Sequence, residues 1–155
     1  YEWMRMSAIS AEFFDSHAAS VGAVVTGRRT YDVAGAWGGS GPLRGAPLFV
    51  MTHQVPETVP SGEPPYTFIT GGIEEAVSQA RRAAGEKNVS LMGATIVQQC
   101  LRAGLLDELT ISLVPVVLGR GARLIEGLEA GSVELELGRV VDAPGVTHLT
   151  YRVVK

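Results

Sequence analysis

Apolar runs of strand length alternate with stretches of helical periodicity through the first two-thirds of the chain. The most regular stretch is residues 73–84, where apolar positions recur at helical spacing, with glutamates in the first turn and arginines in the last. This alternation predicts βαβ units with parallel strands. The predicted helices are residues 7–19, 28–33, 73–84 and 94–103, and the predicted strands are residues 23–26, 47–52, 66–70 and 89–92.

The last third of the chain shows the two-residue period of half-exposed strands. Apolar and polar residues alternate over 109–113, 133–137 and 148–153, and a turn at 142–145 joins the last two strands in a hairpin. His148 falls on the polar side of this pattern, so it is expected to be solvated. The pattern predicts one α/β domain over residues 1–155, with a mixed, mainly parallel central sheet and a C-terminal antiparallel hairpin.

Composition narrows the class of protein. The 155 residues are 46% hydrophobic and 19% charged, which fits one packed globular domain and excludes a disordered chain. A formal net charge of −3 without a basic run argues against nucleic-acid binding, and no apolar run is long enough to span a membrane. The expectation of a small-molecule partner comes from the candidate sites and not from the composition. The single cysteine, Cys100, is predicted to be a core residue and fits a reducing cytoplasm.

The first candidate site is the junction Gly27-Arg28-Arg29-Thr30, where a strand ends at a glycine and a helix begins at once. A helix start offers free N–H groups and a positive dipole end, and guanidinium groups match phosphate oxygens in a bidentate fork. The junction therefore suits an anion. The alternative is that the two arginines are an ordinary solvated surface.

The second candidate site has the same construction at Met92-Gly93-Ala94-Thr95. Gly93 lets the backbone approach a ligand closely, and the amides of Ala94, Thr95 and Ile96 are expected to be unpaired donors for a pyrophosphate. The alternative is a plain strand-to-helix turn with Thr95 as its cap. Two such helix starts in one small α/β domain favour a dinucleotide, because open α/β sheets bind ligands at the carboxyl ends of their strands.

Other motifs are absent or ambiguous. The chain has neither the G-x-G-x-x-G nor the P-loop pattern, and no G-x-S-x-G elbow. The histidines, His17, His53 and His148, are scattered without partners at metal-ligand spacing, so no metal site is expected. Trp37 lies in the glycine-rich segment 35–45, where it is either a substrate-facing aromatic residue or a packing anchor.

Two stretches resemble the dihydrofolate-reductase-like superfamily. Gly27-Arg28-Arg29-Thr30-Tyr31 resembles the cofactor-binding turn of dihydrofolate reductases. The stretch 91–109, Leu-Met-Gly-Ala-Thr through Gly-Leu-Leu-Asp-Glu-Leu, and its continuation 114–121 resemble the reductase domain of the bifunctional riboflavin deaminase-reductase more closely. The resemblance runs from about residue 21 to the C-terminus. It implies a three-layer fold with a mixed sheet and flanking helices, NADPH as the hydride donor, and a homodimer.

The resemblance also implies roles for individual residues. Arg28 and Arg29 are expected near the adenosine 2′-phosphate, and Thr30 with the 93–95 turn at the pyrophosphate. Thr52 and His53, at the end of the second predicted strand, are expected to border the adenosine side. Apart from the resemblance, Trp37 and the segment 35–45 are expected to border the substrate, because this segment directly follows the first candidate site and its glycines permit movement over a ligand.

The chain departs from the family pattern in three ways. It has Gly93-Ala94 where the family usually has a glycine pair, and the family's first strand is expected to lie before Tyr1. Folate-reducing members carry an acid on the first helix, whereas the aligned positions here are near Ser10 and Ala11.

The predicted function is hydride transfer from NADPH to a small nitrogen heterocycle, most like the reduction of 5-amino-6-(5-phosphoribosylamino)uracil. The sequence leaves other functions open. They are dihydrofolate reductase activity, a non-catalytic nucleotide-binding homologue, and a different α/β nucleotide binder.

Overall fold

The structure is a computed structural model that describes residues 6–128 and 131–155. The chain divides into two compact units. The parallel unit is Ser20–Leu105, and the antiparallel unit is formed by Tyr1–Ala19 with Leu106–Lys155. In chain order the elements are α1 (Ala8–Ser20), β1 (Val21–Gly27), α2 (Arg28–Val33), a 3₁₀ turn (Gly35–Gly39), β2 (Leu48–Met51), β3 (Thr67–Ile69), α3 (Ile73–Ala84), β4 (Asn88–Met92), α4 (Ala94–Arg102), β5 (Glu108–Leu113), β6 (Leu135–Ala143) and β7 (Val146–Val153).

The parallel unit contains a four-stranded parallel sheet in the order β3-β2-β1-β4. Its central strand β1 is almost wholly buried, as the continuous apolar run of a strand covered on both faces requires. The end of α3 packs so closely on β1 that a side chain at Gly22 would stand 2.6 Å from the Ala84 carbonyl oxygen. The five buried residues of α3 occupy the predicted apolar face: Ile73, Ala76, Val77, Ala80 and Ala84.

The antiparallel unit contains a three-stranded sheet in the order β5-β7-β6. β6 and β7 form the predicted hairpin, whose turn uses Gly145 at φ 82°. The α/β fold class is confirmed, with the parallel strands at the front of the chain and the antiparallel strands at the back, and the two kinds of strand belong to separate sheets. The assignment of residues 1–155 to one domain stays a prediction.

The expectation that His148 is solvated is wrong. Its side chain is 1% exposed. The ring stacks on Phe13 of α1 with centroids 4.2 Å apart, and it hydrogen-bonds the hydroxyls of Ser10 and Ser112. The alternation of β7 predicted the face of the sheet correctly, but α1 covers that face at His148, and polar hydroxyls satisfy the buried ring.

Candidate functional site

The carboxyl ends of all four parallel strands lie at one edge of their sheet. The residues that follow these ends are therefore neighbours in space. Arg28 follows β1, Thr52 follows β2, and Gly93 follows β4. This edge collects every residue that the sequence predicts for cofactor binding.

The β1–α2 junction begins at Gly27, the N-cap of α2. No side chain caps this helix, and its first turn carries no acidic residue. Arg28 is held in place: its Nε donates to Asp32 Oδ1 at 2.8 Å, and its Nη1 donates to the Gln54 carbonyl at 3.1 Å. Arg29 is exposed and makes no ion pair within the described ranges. The two arginines therefore differ in how much of their guanidinium is available to a ligand.

The β4–α4 junction repeats this construction. Its N-cap is Gly93, at φ 101°, again with no side-chain cap and no acid in the first turn. The predicted free amide of Ile96 is wrong, because this amide donates to the Gly93 carbonyl at 3.1 Å in a tight first turn. The amides of Ala94 and Thr95, which precede it, have no acceptor one turn earlier in the helix.

The structure brings the two junctions together. A side chain built at Gly93 would stand 2.9 Å from Thr30 Oγ1, and one built at Gly27 would stand 3.6 Å from the Ile96 side chain. The buried Thr26 hydroxyl ties the strand ends together by donating to the Met92 carbonyl at 3.3 Å. The Thr30 hydroxyl of α2 thus lies beside the uncapped start of α4, where it could donate to an anion that the first amides of α4 bind.

A third helix start, which was not among the predicted sites, lies at this edge. Gly71 and Gly72 lead into α3, which also lacks a side-chain cap. Its first turn contains Glu74 and Glu75, and the Glu75 carboxylate occupies the space beside Gly71. These carboxylates compensate the positive end of the helix dipole, so this start is a poorer anion site than the other two. The glycine pair directly before the regular helical pattern of residues 73–84 was the sequence feature that could have indicated this helix start.

Thr52 and His53 border the same edge. Thr52 Oγ1 donates to the Gln54 carbonyl at 2.7 Å and accepts from the Gln54 amide at 3.2 Å, which closes a tight turn after β2. Since Arg28 donates to the same carbonyl, this turn is tied to α2. His53 is exposed.

Trp37 lies in a turn with unusual backbone geometry. Ala36 (φ 51°) and Trp37 (φ 49°) are both in the left-handed region, between Gly35 and Gly38, which also have positive φ. Trp37 is half-buried and packs against a cluster of buried apolar residues of the parallel unit, which consists of Val21, Val24, Tyr31, Ala36, Ala46, Leu48 and Val50. The Tyr66 hydroxyl holds the turn by donating to the Ala36 carbonyl and accepting from the Gly41 amide. The packing role of Trp37 is therefore established, and its contact with substrate stays a prediction.

Two ionisable groups of the parallel unit have shifted pKa values. Burial raises the pKa of the Tyr31 phenol, and the nearby Tyr66 adds to this effect. Burial also raises the pKa of the Cys100 thiol, to about 11. Within the described ranges, no group of three or more His, Cys, Asp or Glu side chains is placed to hold a metal ion.

Solved structures of similar fold include three informative cases. A candidate riboflavin biosynthesis protein from Shewanella sp. PV-4 has a TM-score of 0.81 and 23% identity, over 100% of this chain and 88% of that one. A pyrimidine reductase-like protein from Corynebacterium diphtheriae has a TM-score of 0.69 and 13% identity, over 97% and 83%. RibD of Acinetobacter baumannii has a TM-score of 0.66 and 17% identity, over 97% of this chain and 51% of that one.

At these identities the likeness shows the fold, and the chain spans about half the length of RibD. No curated protein sequence matches the chain. No helix in residues 6–128 and 131–155 has the length and apolar character needed to cross a membrane.

The profile of the RibD C-terminal domain family matches residues 2–149. The chain therefore belongs to the RibD C-terminal domain family, which supports a riboflavin-biosynthesis reductase-like oxidoreductase function.

Proposed function

We propose that the protein is an NADPH-dependent reductase that transfers a hydride to a small nitrogen heterocycle, most like 5-amino-6-(5-phosphoribosylamino)uracil. The observation that carries this proposal is the contact between two uncapped, acid-free helix starts, with Thr30 beside Gly93. Family membership supports the reaction class. The cytoplasmic location inferred from the single cysteine stays a prediction.

The residues at the sheet edge fit a dinucleotide. The amides of Ala94 and Thr95 would bind the pyrophosphate, together with the Thr30 hydroxyl, because a helix start without an acid carries an uncompensated positive dipole end. Gly93 keeps this cradle open, since any side chain there would fill the space next to Thr30.

The adenosine end would lie toward the second strand. Arg29 is the guanidinium available for a 2′-phosphate, because Arg28 already binds Asp32 and the Gln54 carbonyl. Arg28 would act indirectly, because its hydrogen bond to the Gln54 carbonyl holds the Thr52–Gln54 turn that would border the adenosine. When bound, the cofactor supplies the hydride, and the protein residues bind and orient it.

The test is loss of NADPH absorbance with a panel of heterocyclic substrates, including dihydrofolate and ribosylaminopyrimidines. We expect turnover with a ribosylaminopyrimidine. The variant Ala94→Asp places a carboxylate at the pyrophosphate cradle and should abolish NADPH binding. Its matched control, Ala94→Gly, makes a smaller change at the same position and should retain binding.

Turnover of dihydrofolate alone would assign the alternative reductase activity. NADPH binding without turnover of any panel member would instead assign a non-catalytic nucleotide-binding protein. Equal NADPH affinity in Ala94→Asp and Ala94→Gly would overturn the proposed cradle.

A further inference from the structure

The turn that contains Trp37 has a backbone conformation that its residues do not favour. Four consecutive residues, 35–38, have φ between 49° and 60°, and two of them, Ala36 and Trp37, are not glycine. Residues other than glycine visit this left-handed region singly and not in runs, because Cβ comes close to the following carbonyl oxygen. Ser40 closes the turn by donating from its amide and its hydroxyl to the Trp37 carbonyl. Further contacts from outside the turn are expected to hold it.

One outside contact is the hydroxyl of Tyr66, the residue that directly precedes β3. It donates to the Ala36 carbonyl and accepts from the Gly41 amide at 2.9 Å, so it joins the chain before Trp37 to the chain after it. The Tyr66 ring packs edge-on against the buried ring of Tyr31 in α2, with centroids 5.8 Å apart. The hydroxyl that holds the turn is therefore itself fixed relative to α2.

The second outside contact is between two stretches of backbone. Gly39 is buried, and a side chain built on it would stand 2.6 Å from the Ser61 carbonyl oxygen. A side chain built on Gly62 would overlap the Gly39 carbonyl oxygen. Gly62 does not have a left-handed φ, so its own conformation does not require glycine. The close approach to Gly39 is what excludes a side chain at position 62.

Both contacts come from the connection between β2 and β3, residues 52–66, and all of these residues belong to the parallel unit. We call Gly62 and Tyr66 the clamp. The clamp meets the segment 35–41 on both sides of Trp37, whose side chain packs against the buried cluster and stays half-buried. The clamp thus fixes the backbone on which Trp37 is carried and leaves part of the ring accessible.

We propose that Gly62 and Tyr66 are positioning residues for substrate binding, which act by holding Trp37 where it borders the substrate. This inference rests on the proposed function and on the proposed contact of Trp37 with the substrate. Neither clamp residue needs to touch the substrate. A ring that is already held in place loses little conformational freedom when a ligand binds, whereas a loosened turn must be ordered again at the expense of affinity. The effect should therefore appear in KM.

The first test needs neither cofactor nor substrate. The chain has two tryptophans, Trp3 and Trp37, so Trp3→Phe leaves fluorescence that reports on the turn alone. In this background we expect Gly62→Ala and Tyr66→Phe to shift the emission to longer wavelength and to increase quenching by acrylamide, because a loosened turn exposes the ring. Ser61→Ala is the matched control, since Ser61 is exposed and only its carbonyl approaches the turn. Emission and quenching that stay unchanged in both clamp variants would overturn the clamp.

The second test uses the complete reaction. We expect Gly62→Ala to raise the KM for the substrate by about tenfold, which corresponds to the ordering of one large side chain, and to leave kcat and NADPH affinity within about threefold of the wild type. Tyr66→Phe should change KM in the same direction, and it provides the test if Gly62→Ala does not fold. Ser61→Ala should keep the KM of the wild type.

A double variant distinguishes positioning from a general loss of stability. If the clamp acts through Trp37, Gly62→Ala should cause no further rise in KM when it is added to Trp37→Ala, because the effects of coupled residues do not add. Urea denaturation should show the stability cost of Gly62→Ala in both backgrounds. A rise in KM that is the same with and without Trp37 would contradict the positioning role.

The outcomes separate the two proposals. A wild type that turns over while Gly62→Ala and Tyr66→Phe keep its KM contradicts the positioning role and leaves the reductase assignment standing. A wild type that turns over no member of the substrate panel contradicts the proposed function, and the positioning role with it.

Discussion

Arg28 and Arg29 are neighbours in the sequence but differ in what their guanidinium groups contact. Arg28 binds Asp32 one helical turn away and the carbonyl of Gln54, whereas Arg29 is exposed. The sequence could not separate them, because the contact with Gln54 depends on the path of the chain after β2. The spacing of four residues between Arg28 and Asp32 was the sequence feature that indicated an ion pair for Arg28.

Gly93 allows a direct test of the cradle. Its φ of 101° disfavours any other residue, and a side chain would meet Thr30 Oγ1 at 2.9 Å. We expect Gly93→Ala to lower the free energy of unfolding by about 2 kcal/mol or more and to weaken NADPH binding. Gly104→Ala is the matched control, because Gly104 has φ 66° but open space around it, so only the backbone cost of about 1 kcal/mol should appear. Urea denaturation and cofactor titration measure the two effects, and equal losses in both variants would contradict the close approach.

Cys100 predicts a pH dependence of stability. Burial raises the pKa of its thiol from 9.0 to about 11. Between these values the unfolded chain loses the proton while the folded chain keeps it, so the free energy of unfolding should fall as the pH rises from 9 to 11. Denaturation midpoints should therefore decline more steeply in the wild type than in Cys100→Ala. Denaturation midpoints that decline equally in the wild type and in Cys100→Ala would show that the Cys100 thiol does not cause the pH dependence.

Glycine positions were the part of the site that the sequence predicted best. Gly93 is required at its helix start, because its φ is 101° and a side chain there would stand 2.9 Å from Thr30 Oγ1. Gly27 has an ordinary φ of −88°, and a side chain there would meet the Ile96 side chain at 3.6 Å, so the structure leaves room for one. The sequence could not predict that Ile96 donates to the Gly93 carbonyl, because both a free amide and a tight first turn are compatible with the same residues. Nor could it predict the burial of His148, which depends on where α1 packs.

At the scale of elements, hydrophobic periodicity predicted the bounds correctly where an element packs against the core with one well-defined face. Helices α2 and α3 have their predicted bounds, 28–33 and 73–84, since α2 follows a glycine and α3 has a continuous apolar face ended by Gly85. β6 begins at Leu135 rather than at residue 133 and is exposed along most of its length. It is an edge strand, so burial on one face constrains its bounds less.

The turn around Trp37 is the element for which strain suggests a function. The left-handed backbone conformation costs a residue other than glycine about 1–2 kcal/mol of stability. Ala36 and Trp37 both adopt it, and the hydrogen bonds of the Tyr66 hydroxyl offset part of this cost. Such strain is typical of segments that contact ligands. We propose that Trp37 borders the substrate, as its place in the glycine-rich segment 35–45 predicts.

This proposal predicts different effects for two variants. Trp37→Ala should raise the KM for substrate by about tenfold or more, if the contact contributes about 1.4 kcal/mol, and should leave NADPH affinity unchanged. Tyr66→Phe keeps the ring but loosens the turn, and should lower the free energy of unfolding by about 1–3 kcal/mol. Steady-state kinetics on a folded Trp37→Ala with unaltered KM would show that Trp37 is a packing anchor alone.

At the scale of the whole molecule, the antiparallel sheet leaves an apolar face in contact with solvent. Cross-strand pairing places the apolar residues of β5, β6 and β7 on one side, opposite the face that α1 covers at His148. Several of them are exposed, by 59% for Leu113, 55% for Leu137 and 51% for Val140. An apolar face of this kind usually marks an interface. We propose that a second copy of the chain covers it, in line with the predicted homodimer.

A matched pair of charge variants tests this homodimer. Leu137→Lys places a charge on the apolar face and should convert a dimer to a monomer, because burying an unpaired ammonium is costly. Thr110→Lys adds the same charge on the opposite face of the sheet and should leave the dimer intact. Light scattering at micromolar concentration gives the masses. A wild type of monomer mass would contradict the proposal.

The dissociation constants of NADPH and NADH, measured by titration of the wild type, Arg29→Ala, Arg28→Ala and the control Arg82→Ala, test the central claim most directly. Arg82 is an exposed arginine of the same unit, in the last turn of α3, whereas the start of α3 follows the carboxyl end of β3. The two cofactors differ by the 2′-phosphate, and hydrogen bonds to a charged group contribute about 1.5–3 kcal/mol, or roughly tenfold or more in affinity. We predict that the wild type prefers NADPH by at least about tenfold, that Arg29→Ala loses this preference with little change in NADH affinity, and that Arg82→Ala retains it. Arg28→Ala should weaken NADPH binding indirectly, because it removes the hydrogen bond that holds the turn at Gln54. Equal affinity of the wild type for both cofactors, or an Arg29→Ala variant that loses both equally, would contradict the account.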